Sequence, residues 1–431
     1  METSLQTPIT RALAVLSVAA LTGLAGCAGS AAGSDSGSDS GSGAGPGVAF
    51  GATPEEYQEA LADMDPVALT YQPGAQSAQG HTGEAEQAFI DQVAEMSGGK
   101  VTLEPVWGQA VAAFDEVSEA AADGRIDIGV EIPIYTPSKY EAVNELINLA
   151  PGPPASPYVT EVSTTAAMME VAWNTPEIIE NYDALGVSVL RPVMFETSNA
   201  LMCTEPVTSL DDFEGKQIRV GSAADLAIVE DMGASPVSMQ FVEAYEALQR
   251  NTIDCTLGGL RIGAEYGFLE VAPHVTLPND AAWGRSPTAV VAGPGYQNLP
   301  LAAQQVVFDA YAQSNARSLE AAVAFSADAV EMVGQNGGDI RRLEGDAEET
   351  LSGAIGALRE ETAGSDALDG EDAAARLDDA YDRWLTIAEE EGHEDTGDYV
   401  GFAEDFAAEP VDLTTFGERM FEEIYLPHRP S

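Results

Sequence analysis

One arginine in the sequence has the chemistry of an acid-binding residue. Arg219 ends a short apolar run within the segment EGKQIRVGSAADLAIVEDMGASPVSMQFVEAYEALQRNTIDC, residues 214–255. The whole chain carries 71 acidic residues against 18 lysines and arginines, a formal net charge of −53. A guanidinium is permanently charged and presents a planar fork of donors that can hold a carboxylate bidentately. Arg219 is therefore a candidate carboxylate-binding residue, and the alternative is a surface arginine at a strand end.

No catalytic set accompanies this arginine in the sequence. The histidines are dispersed and share no metal-ligand spacing; they are His81, His274, His393 and His428. The sequence contains no H-E-x-x-H, C-x-x-C, P-loop or G-x-S-x-G motif. Carboxylates are abundant, but no pair among them is marked as an acid–base couple. We therefore expect a protein that is not an enzyme and that uses neither a metal nor a cofactor.

The first 26 residues have the pattern of a secretory signal. Arg11 precedes an apolar run over residues 12–24 that is too short to span a bilayer stably. The run ends in LAGC, which resembles a bacterial lipobox, in which the cysteine becomes the lipidated first residue. We predict a lipoprotein signal peptide over residues 1–26 and lipidation at Cys27. The alternative is an ordinary signal peptide with a chance cysteine.

The residues after Cys27 predict a protein held outside the cell membrane. Residues 27–64 open with a Gly/Ser/Asp run that has nothing to bury, which predicts a lipid-anchored flexible tether. The expected location is the outer face of the cell membrane, with the lipid as the anchor. In an oxidising compartment Cys203 and Cys255 either form a disulfide or remain two buried thiols, and their spacing does not decide between these alternatives.

The acidic composition limits the partners of the chain. A surface of this charge repels nucleic acid and anionic membranes, so no nucleic-acid partner is expected. It also suits concentrated salt, where a screening length of about 3 Å near 1 M reduces the repulsion between like charges.

Alternating strand and helix patterns predict two α/β units. Residues 65–195 together with about 284–325 form the first predicted lobe, and residues 196–283 form the second. The Ala-rich run after Pro300 predicts one long helix, or two in line, connecting them. Residues 326–431 are predicted to form an acidic helical C-terminal segment. This pattern favours an α/β fold with mixed, mainly parallel sheets and a cleft between lobes, where small ligands commonly bind.

Two sets of motifs resemble the solute-binding proteins of TRAP (tripartite ATP-independent periplasmic) transporters, the family of the dicarboxylate and sialic-acid receptors. The first is AFIDQVAEMSGGKVTLEPVW followed by EAAADGRIDIGV. The second and more specific set is DFEGKQIRV, then MGASPVSMQFVEAYEALQRNTID. The resemblance covers about residues 66–330 and implies a two-lobe periplasmic-binding-protein fold.

The resemblance also implies roles for individual residues. The arginine of the I-R-V segment pairs with the solute carboxylate in this family, and that role falls on Arg219. Phe241 matches a position that packs on the apolar side of the ligand, although it could equally be ordinary core. Glu243 and Tyr245 are expected to be mainly architectural, behind Arg219. Two further residues are expected near or in the pocket wall, Glu131, whose register is off by about one residue, and Trp283.

The departures from the family pattern bear on the ligand. Asn199 stands where a second family arginine would lie, and Gly258 lies near the position of a family asparagine, so both are candidate ligand-binding residues. These differences predict a pocket that is roomier and less cationic than that of the sialic-acid receptors, and therefore suited to a monocarboxylate or a zwitterion rather than a dianion. Cys255 stands where the family usually has glycine.

The sequence therefore predicts an extracytoplasmic receptor that captures a small organic acid and delivers it to the membrane permease of a TRAP-type transporter. Three alternatives stay open at this point. They are a receptor for a zwitterionic compatible solute, a secreted hydrolase using the same cleft, and a structural surface lipoprotein without a ligand.

Overall fold

The computed structural model describes residues 46–150, 154–195, 199–365, 367–395 and 398–431. The predicted signal peptide, the predicted lipidation residue Cys27 and the Gly/Ser/Asp run lie outside the described residues. Within the described ranges, no helix is both long enough and apolar enough to cross a membrane.

Strands and helices alternate along most of the chain. The strands are β1 (Val67–Gln72), β2 (Val101–Pro105), β3 (Ile128–Glu131), β4 (Ser188–Met194), β5 (Asn199–Cys203), β6 (Gln217–Val220), β7 (Ser235–Ser238), β8 (Cys255–Gly259), β9 (His274–Leu277), β10 (Thr288–Ala292) and β11 (Asp339–Arg342). The helices before β10 are α1 (Pro54–Ala60), α2 (Gly80–Met96), α3 (Val117–Ala122), α4 (Glu141–Leu149), α5 (Val159–Trp173), α6 (Pro176–Ala184), α7 (Leu210–Phe213), α8 (Ala223–Asp231), α9 (Phe241–Gln249), α10 (Leu260–Glu265) and α11 (Phe268–Val271). The helices after β10 are α12 (Pro294–Gln297), α13 (Leu301–Gln313), α14 (Asn315–Gln335), α15 (Gly345–Ala363), α16 (Gly370–Glu390), α17 (Tyr399–Ala408) and α18 (Thr414–Met420).

Each lobe is built on one sheet. Lobe 1 contains a five-stranded sheet in the order β2-β1-β3-β10-β4, in which β10 runs antiparallel to both of its neighbours. Lobe 2 contains a six-stranded sheet in the order β11-β9-β5-β8-β6-β7, in which β5 runs antiparallel to both of its neighbours. The predicted two-lobe α/β fold with mixed sheets is confirmed. Among the described strands, parallel pairs outnumber antiparallel pairs by five to four.

The chain passes between the lobes more than once. It leaves lobe 1 after β4, returns after β9, and passes again to lobe 2 from α14 to β11. The Ala-rich run forms two helices, α13 and α14, separated at Ser314. Helix α14 packs against α2 of lobe 1 and against α10 and α11 of lobe 2, so it is the connecting helix.

The two cysteines of lobe 2 are joined. Cys203 ends β5 and Cys255 begins β8, and the two residues lie directly opposite each other in an antiparallel pair. Their Cα atoms are 4.1 Å apart and a disulfide links them. Of the two alternatives that the spacing left open, the structure has the disulfide.

The tether predicted to extend to residue 64 is too long at its C-terminal end. Helix α1 begins after Thr53, whose side chain forms a capping box with Glu56. Tyr57 and Leu61, one helical turn apart, are each 1% exposed, and the Tyr57 hydroxyl donates to buried Asp309. Because one face of this short helix packs on lobe 1, the folded part begins well before residue 65.

The C-terminal residues are not a separate acidic segment. Strand β11 completes the sheet of lobe 2, and α15 packs on α8 of lobe 2 and on α4 of lobe 1. Helix α16 packs along α5, with Leu377, Ala380, Trp384 and Ile387 buried at helical spacing. The acidic residues of α16 occupy its opposite face. The overall acidic composition of residues 326–431 therefore does not indicate the apolar stripe of this helix.

Candidate ligand-binding cleft

A cleft that is partly open to solvent lies between the two lobes. Lobe 1 contributes residues from α2, β3, β4 and β10, and lobe 2 contributes residues from β6, β8, α9 and α10. Helices α13 and α14 complete the lining. The side chains discussed below that line it are Glu86, Phe114, Val130, Ile132, Tyr135, Arg191, Arg219, Phe241, Arg261, Tyr266, Ser286, Thr288 and Tyr311.

Strand β6 directs Arg219 into the cleft. Ile218 and Val220 point to the core of lobe 2 and are fully buried, so the alternation of the strand turns Arg219 to the other face. Gly221 follows, and a Cβ at this glycine would lie 3.1 Å from Nη2 of Arg219. The strand thus positions the guanidinium, and the glycine leaves room for it.

Arg219 is held by neutral acceptors. Its Nε donates to the carbonyl of Met239 at 2.9 Å, and its Nη1 donates to the carbonyl of Leu257 at 2.9 Å. Its Nη2 donates to the hydroxyl of Tyr135 at 3.2 Å. Because a guanidinium has five N–H groups, these bonds leave one donor on each terminal nitrogen. The side chain is 3% exposed, and within the described ranges it forms no ion pair.

Aromatic rings surround this guanidinium. Phe241, at the start of α9, is 6% exposed and lies 5.5 Å from the Phe114 ring of lobe 1, measured between ring centroids. Its ring also lies 4.6 Å from Tyr266 and 6.4 Å from Tyr135. These rings exclude water from the space beside Arg219, which strengthens a charge-assisted hydrogen bond formed there.

Tyr135 and Tyr266 make polar contacts across the cleft. The Tyr135 hydroxyl, from a 3₁₀ turn of lobe 1, accepts from Arg219 and from the backbone N–H of Phe241 at 3.1 Å, both in lobe 2. Burial raises the pKa of Tyr135, and the charge of Arg219 partly offsets this rise. The amide of Gln76 in lobe 1 donates to the hydroxyl of Tyr266 at 2.8 Å. The structure therefore has the two lobes in contact with each other.

Two further arginines line the cleft, and the sequence analysis missed both. Arg191 projects from β4 of lobe 1, and Arg261 projects from α10 of lobe 2, where it pairs with Glu265 at 2.5 Å. The prediction of a less cationic pocket, based on Asn199 and Gly258, did not include these two arginines. The cationic groups come from other positions than the family motif. Their signal in the sequence is a cation beside an apolar run, VSVL before Arg191 and LGGL before Arg261.

Glu86 supplies a carboxyl group to the lining. It projects from α2 and accepts a hydrogen bond from the Tyr71 hydroxyl. Burial raises the pKa of Glu86, while Tyr71, Arg191 and Arg261 oppose the rise. Among the described residues, no group of three or more histidine, cysteine or acidic side chains is placed to hold a metal ion.

Three of the predicted ligand-binding residues lie outside the lining, namely Glu131, Asn199 and Trp283. Glu131 is fully buried on the other face of β3, where the Ser118 hydroxyl donates to it, whereas its neighbours Val130 and Ile132 face the cleft. Side chains alternate along a strand, so the one-residue offset noted in the sequence turns Glu131 away from the cleft. Burial raises its pKa. Gly258, in contrast, lines the cleft.

Asn199 does not line the cleft but contacts a residue that does. Its side-chain oxygen accepts from the hydroxyl of Ser286, which faces the cleft, at 3.3 Å. Its side-chain nitrogen donates to Asp225 at 3.4 Å. Asp225 is 1% exposed, and burial raises its pKa from 3.8 to about 6, although Ser222 and Arg219 oppose the rise.

The remaining predicted residues take other places. Trp283 is fully buried in the core of lobe 2, with its ring 6.4 Å from Phe213, so it does not form the cleft wall. Glu243 is exposed on α9, and Tyr245 contacts Gln249 on the same helix at 3.4 Å. Neither contacts Arg219. The buried face of α9 is formed instead by Phe241, Ala244 and Leu248.

A comparison with family models gives one match over most of the chain. The model of bacterial extracellular solute-binding protein family 7 (DctP) matches residues 74–363. The chain belongs to this family, and the resemblance to TRAP solute-binding proteins is confirmed.

Curated relatives match parts of the chain. A solute-binding protein of Sulfitobacter sp. strain NAS-14.1 is 30% identical over 121 residues, which cover 28% of this chain and 36% of the relative. The C4-dicarboxylate-binding periplasmic protein DctP of Rhodobacter capsulatus is 25% identical over 196 residues, covering 41% of this chain and 59% of the relative. The chain thus spans between about a third and three fifths of the length of these relatives.

Solved structures share the fold over most of the chain. A marine metagenome TRAP solute-binding protein specific for aromatic acids, in complex with 3-hydroxybenzoate, aligns with a TM-score of 0.64 and 18% identity, covering 74% of this chain and 99% of that one. The ectoine-binding protein of the Halomonas elongata TeaABC transporter aligns with a TM-score of 0.61 and 20% identity, covering 74% and 100%.

Proposed function

We propose that the protein is the extracytoplasmic solute-binding receptor of a TRAP-type transporter, and that it binds a small organic acid through Arg219. The observation that carries this proposal is a buried guanidinium in the cleft whose described contacts are all to neutral groups. A buried cation with no carboxylate directly paired to it is unfavourable, and the carboxylate of a solute would form that pair. The ligand would also complete the donors left on the two terminal nitrogens.

Binding, in this proposal, is coupled to closure of the lobes and involves no covalent chemistry. Phe241 and Phe114 would cover the ligand from opposite lobes, while Tyr135 would join the lobes beside it. A ligand stabilises the closed state by its differential affinity for that state. Delivery to membrane permease subunits and anchoring through a lipid on Cys27 belong to the same proposal. They are supported by family membership and by the LAGC segment, respectively.

Titration of the purified protein with a panel of small acids, with the heat of binding measured by calorimetry, tests the proposal. Replacing Arg219 by Ala is expected to weaken the binding of any acid that binds the wild type by roughly 30- to 1000-fold, because a buried charge pair is lost. The matched control is Arg250→Ala, since Arg250 lies on the surface with a side chain that is 70% exposed. Unchanged affinity in Arg219→Ala would remove the proposed role.

A receptor for a zwitterionic solute is the second candidate. Glu86 brings a carboxyl group into the same lining as Arg219, and the aromatic rings could face a cationic group. The ectoine-binding relative shows that this fold accommodates such a ligand. Including ectoine in the panel separates the candidates, since a zwitterion receptor should bind it more tightly than any simple acid.

A further inference from the structure

The cleft contains a second buried guanidinium, on the lobe opposite Arg219. We propose that Arg191 binds a second anionic group of the solute, so that the bound molecule bridges Arg219 of lobe 2 and Arg191 of lobe 1. This inference rests on the proposed function, because it requires an acid in the cleft. It assigns a binding role that neither the sequence motifs nor the family resemblance gave to Arg191.

The contacts of Arg191 leave part of its binding capacity unused. The side chain, on β4, is 6% exposed and lines the cleft. Its Nη2 donates to the hydroxyl of Thr288 at 2.7 Å, and its Nη1 contacts the sulfur of Met194, a weak acceptor, at 2.8 Å. Its Nε is buried and has no hydrogen-bond partner in the described chain. The guanidinium carbon lies 5.5 Å from the centroid of the Tyr311 ring.

The charge of Arg191 has no ion-pair partner among the described carboxylates. None of them lies within 4.0 Å of it. Glu86 lies close enough for Arg191 to influence its pKa, but it receives its hydrogen bond from Tyr71, and burial raises its pKa despite the nearby cation. Arg191 and Arg219 are thus two buried positive charges facing one cleft. Two negative groups on a ligand would match them.

The matching ligand is a compact diacid. One carboxylate would bind Arg219, a second would bind Arg191, and the carbon skeleton between them would pack against the ring of Phe241. Each guanidinium forms charge-assisted hydrogen bonds to a carboxylate, which are stronger than neutral ones. Because the two arginines belong to different lobes, such a ligand would also hold the cleft closed.

Matched acids with one and two carboxylates test the inference on the unmodified protein. The pairs are benzoate with isophthalate and butyrate with glutarate, with affinities measured by calorimetry. The diacid of a pair is expected to bind about 10- to 100-fold more tightly. The inference is overturned if each monoacid binds as tightly as its matched diacid or more tightly, or if ectoine binds more tightly than any of these acids. Either result leaves the proposed acid or zwitterion receptor standing. Failure of every probe to bind would overturn the proposed function and the present inference with it.

Variants then assign the effect to the residue. Arg191→Gln is expected to weaken diacid binding about 10- to 100-fold while changing monoacid affinity by no more than about threefold. Arg191→Lys should recover part of the diacid affinity, because it restores the charge without the fork of donors. Arg250→Gln is the surface control, and thermal unfolding checks that each variant folds. Equal losses for both acids in Arg191→Gln would show a structural role and overturn the inference. If the variant does not fold, the wild-type comparison decides.

Discussion

Asp225 is a buried carboxyl group behind the proposed binding residue. It lies on α8, and its Oδ1 has no hydrogen-bond partner among the described residues, while Asn199 donates to Oδ2. A Cβ at Gly284 would lie 2.2 Å from Oδ1, so the chain passes very close to this oxygen. Burial raises the pKa of Asp225 to about 6, whereas the unfolded chain has the ordinary value. The folded protein therefore binds more protons than the unfolded chain between about pH 4 and pH 6.

This difference makes a testable contribution to stability. Because the folded form binds the additional proton, the contribution of Asp225 to the free energy of unfolding is greatest below pH 4. It falls as the pH rises toward 6 and is constant above that. Asp225→Asn keeps the shape and cannot titrate. The free energy of unfolding of the wild type minus that of Asp225→Asn should therefore fall by roughly 2 kcal/mol from pH 4.5 to pH 7.5.

Urea unfolding at fixed high salt measures this difference. Subtracting the free energy of unfolding of the variant from that of the wild type removes the contribution of the other carboxylates, which is large in so acidic a chain. If the difference in free energy of unfolding between the wild type and Asp225→Asn does not change with pH, Asp225 titrates normally in the folded state.

Individual residues differ in how far the sequence could place them. Arg219 could be assigned a candidate role because its strand carries a family motif, and the structure places it in the cleft. Arg191 has a similar local signal, a cation among apolar residues, but no motif says which face of β4 it occupies. Glu131 shows the same difficulty, since a one-residue register error moves a side chain to the opposite face of a strand.

At the scale of elements, the disulfide joins two neighbouring strands of lobe 2. It links β5 to β8 across 52 residues, a span that contains β6, β7, α8 and α9. Crosslinking two such strands restricts the unfolded chain more than the folded one. Replacing both Cys203 and Cys255 by alanine is expected to lower the free energy of unfolding by roughly 2–4 kcal/mol.

Denaturant unfolding of the double variant, beside the wild type with and without reductant, measures this effect. Reduced wild type and double variant should have similar stability. A double variant as stable as the oxidised wild type would show that the disulfide does not stabilise the folded protein.

The elements themselves were predictable where their periodicity was strong. Alternating strand and helix patterns predict the α/β structure of both lobes, and the fold confirms it. Helix α1 is hard to predict because it is short, has a single buried side chain, Tyr57, and follows a run of Gly, Ser and Asp residues. The role of α16 was missed because its charged face dominates its composition, whereas its docking surface on α5 is provided by a distant part of the chain.

At the scale of the whole molecule, two electrostatic effects oppose each other. The net charge of −53 repels an anionic solute at long range, whereas three arginines in the cleft attract it at short range. The screening length falls from about 10 Å at 0.1 M salt to about 3 Å at 1 M. The arginines are buried, so an approaching solute first experiences the field of the acidic surface. Screening should therefore remove more repulsion than attraction.

We expect the association rate constant of the tightest acid in the panel to rise roughly 3- to 10-fold between 0.1 M and 1 M potassium chloride. The dissociation rate should change little, because the buried contacts of Arg219 are weakly screened. Stopped-flow tryptophan fluorescence measures both rates. Sodium sulfate at equal ionic strength separates charge screening from other salt effects, and sucrose at matched viscosity is the uncharged control. An association rate that falls with salt would mean that the cleft arginines determine the field met by the solute, and that the surface charge serves solubility in salt without hindering capture.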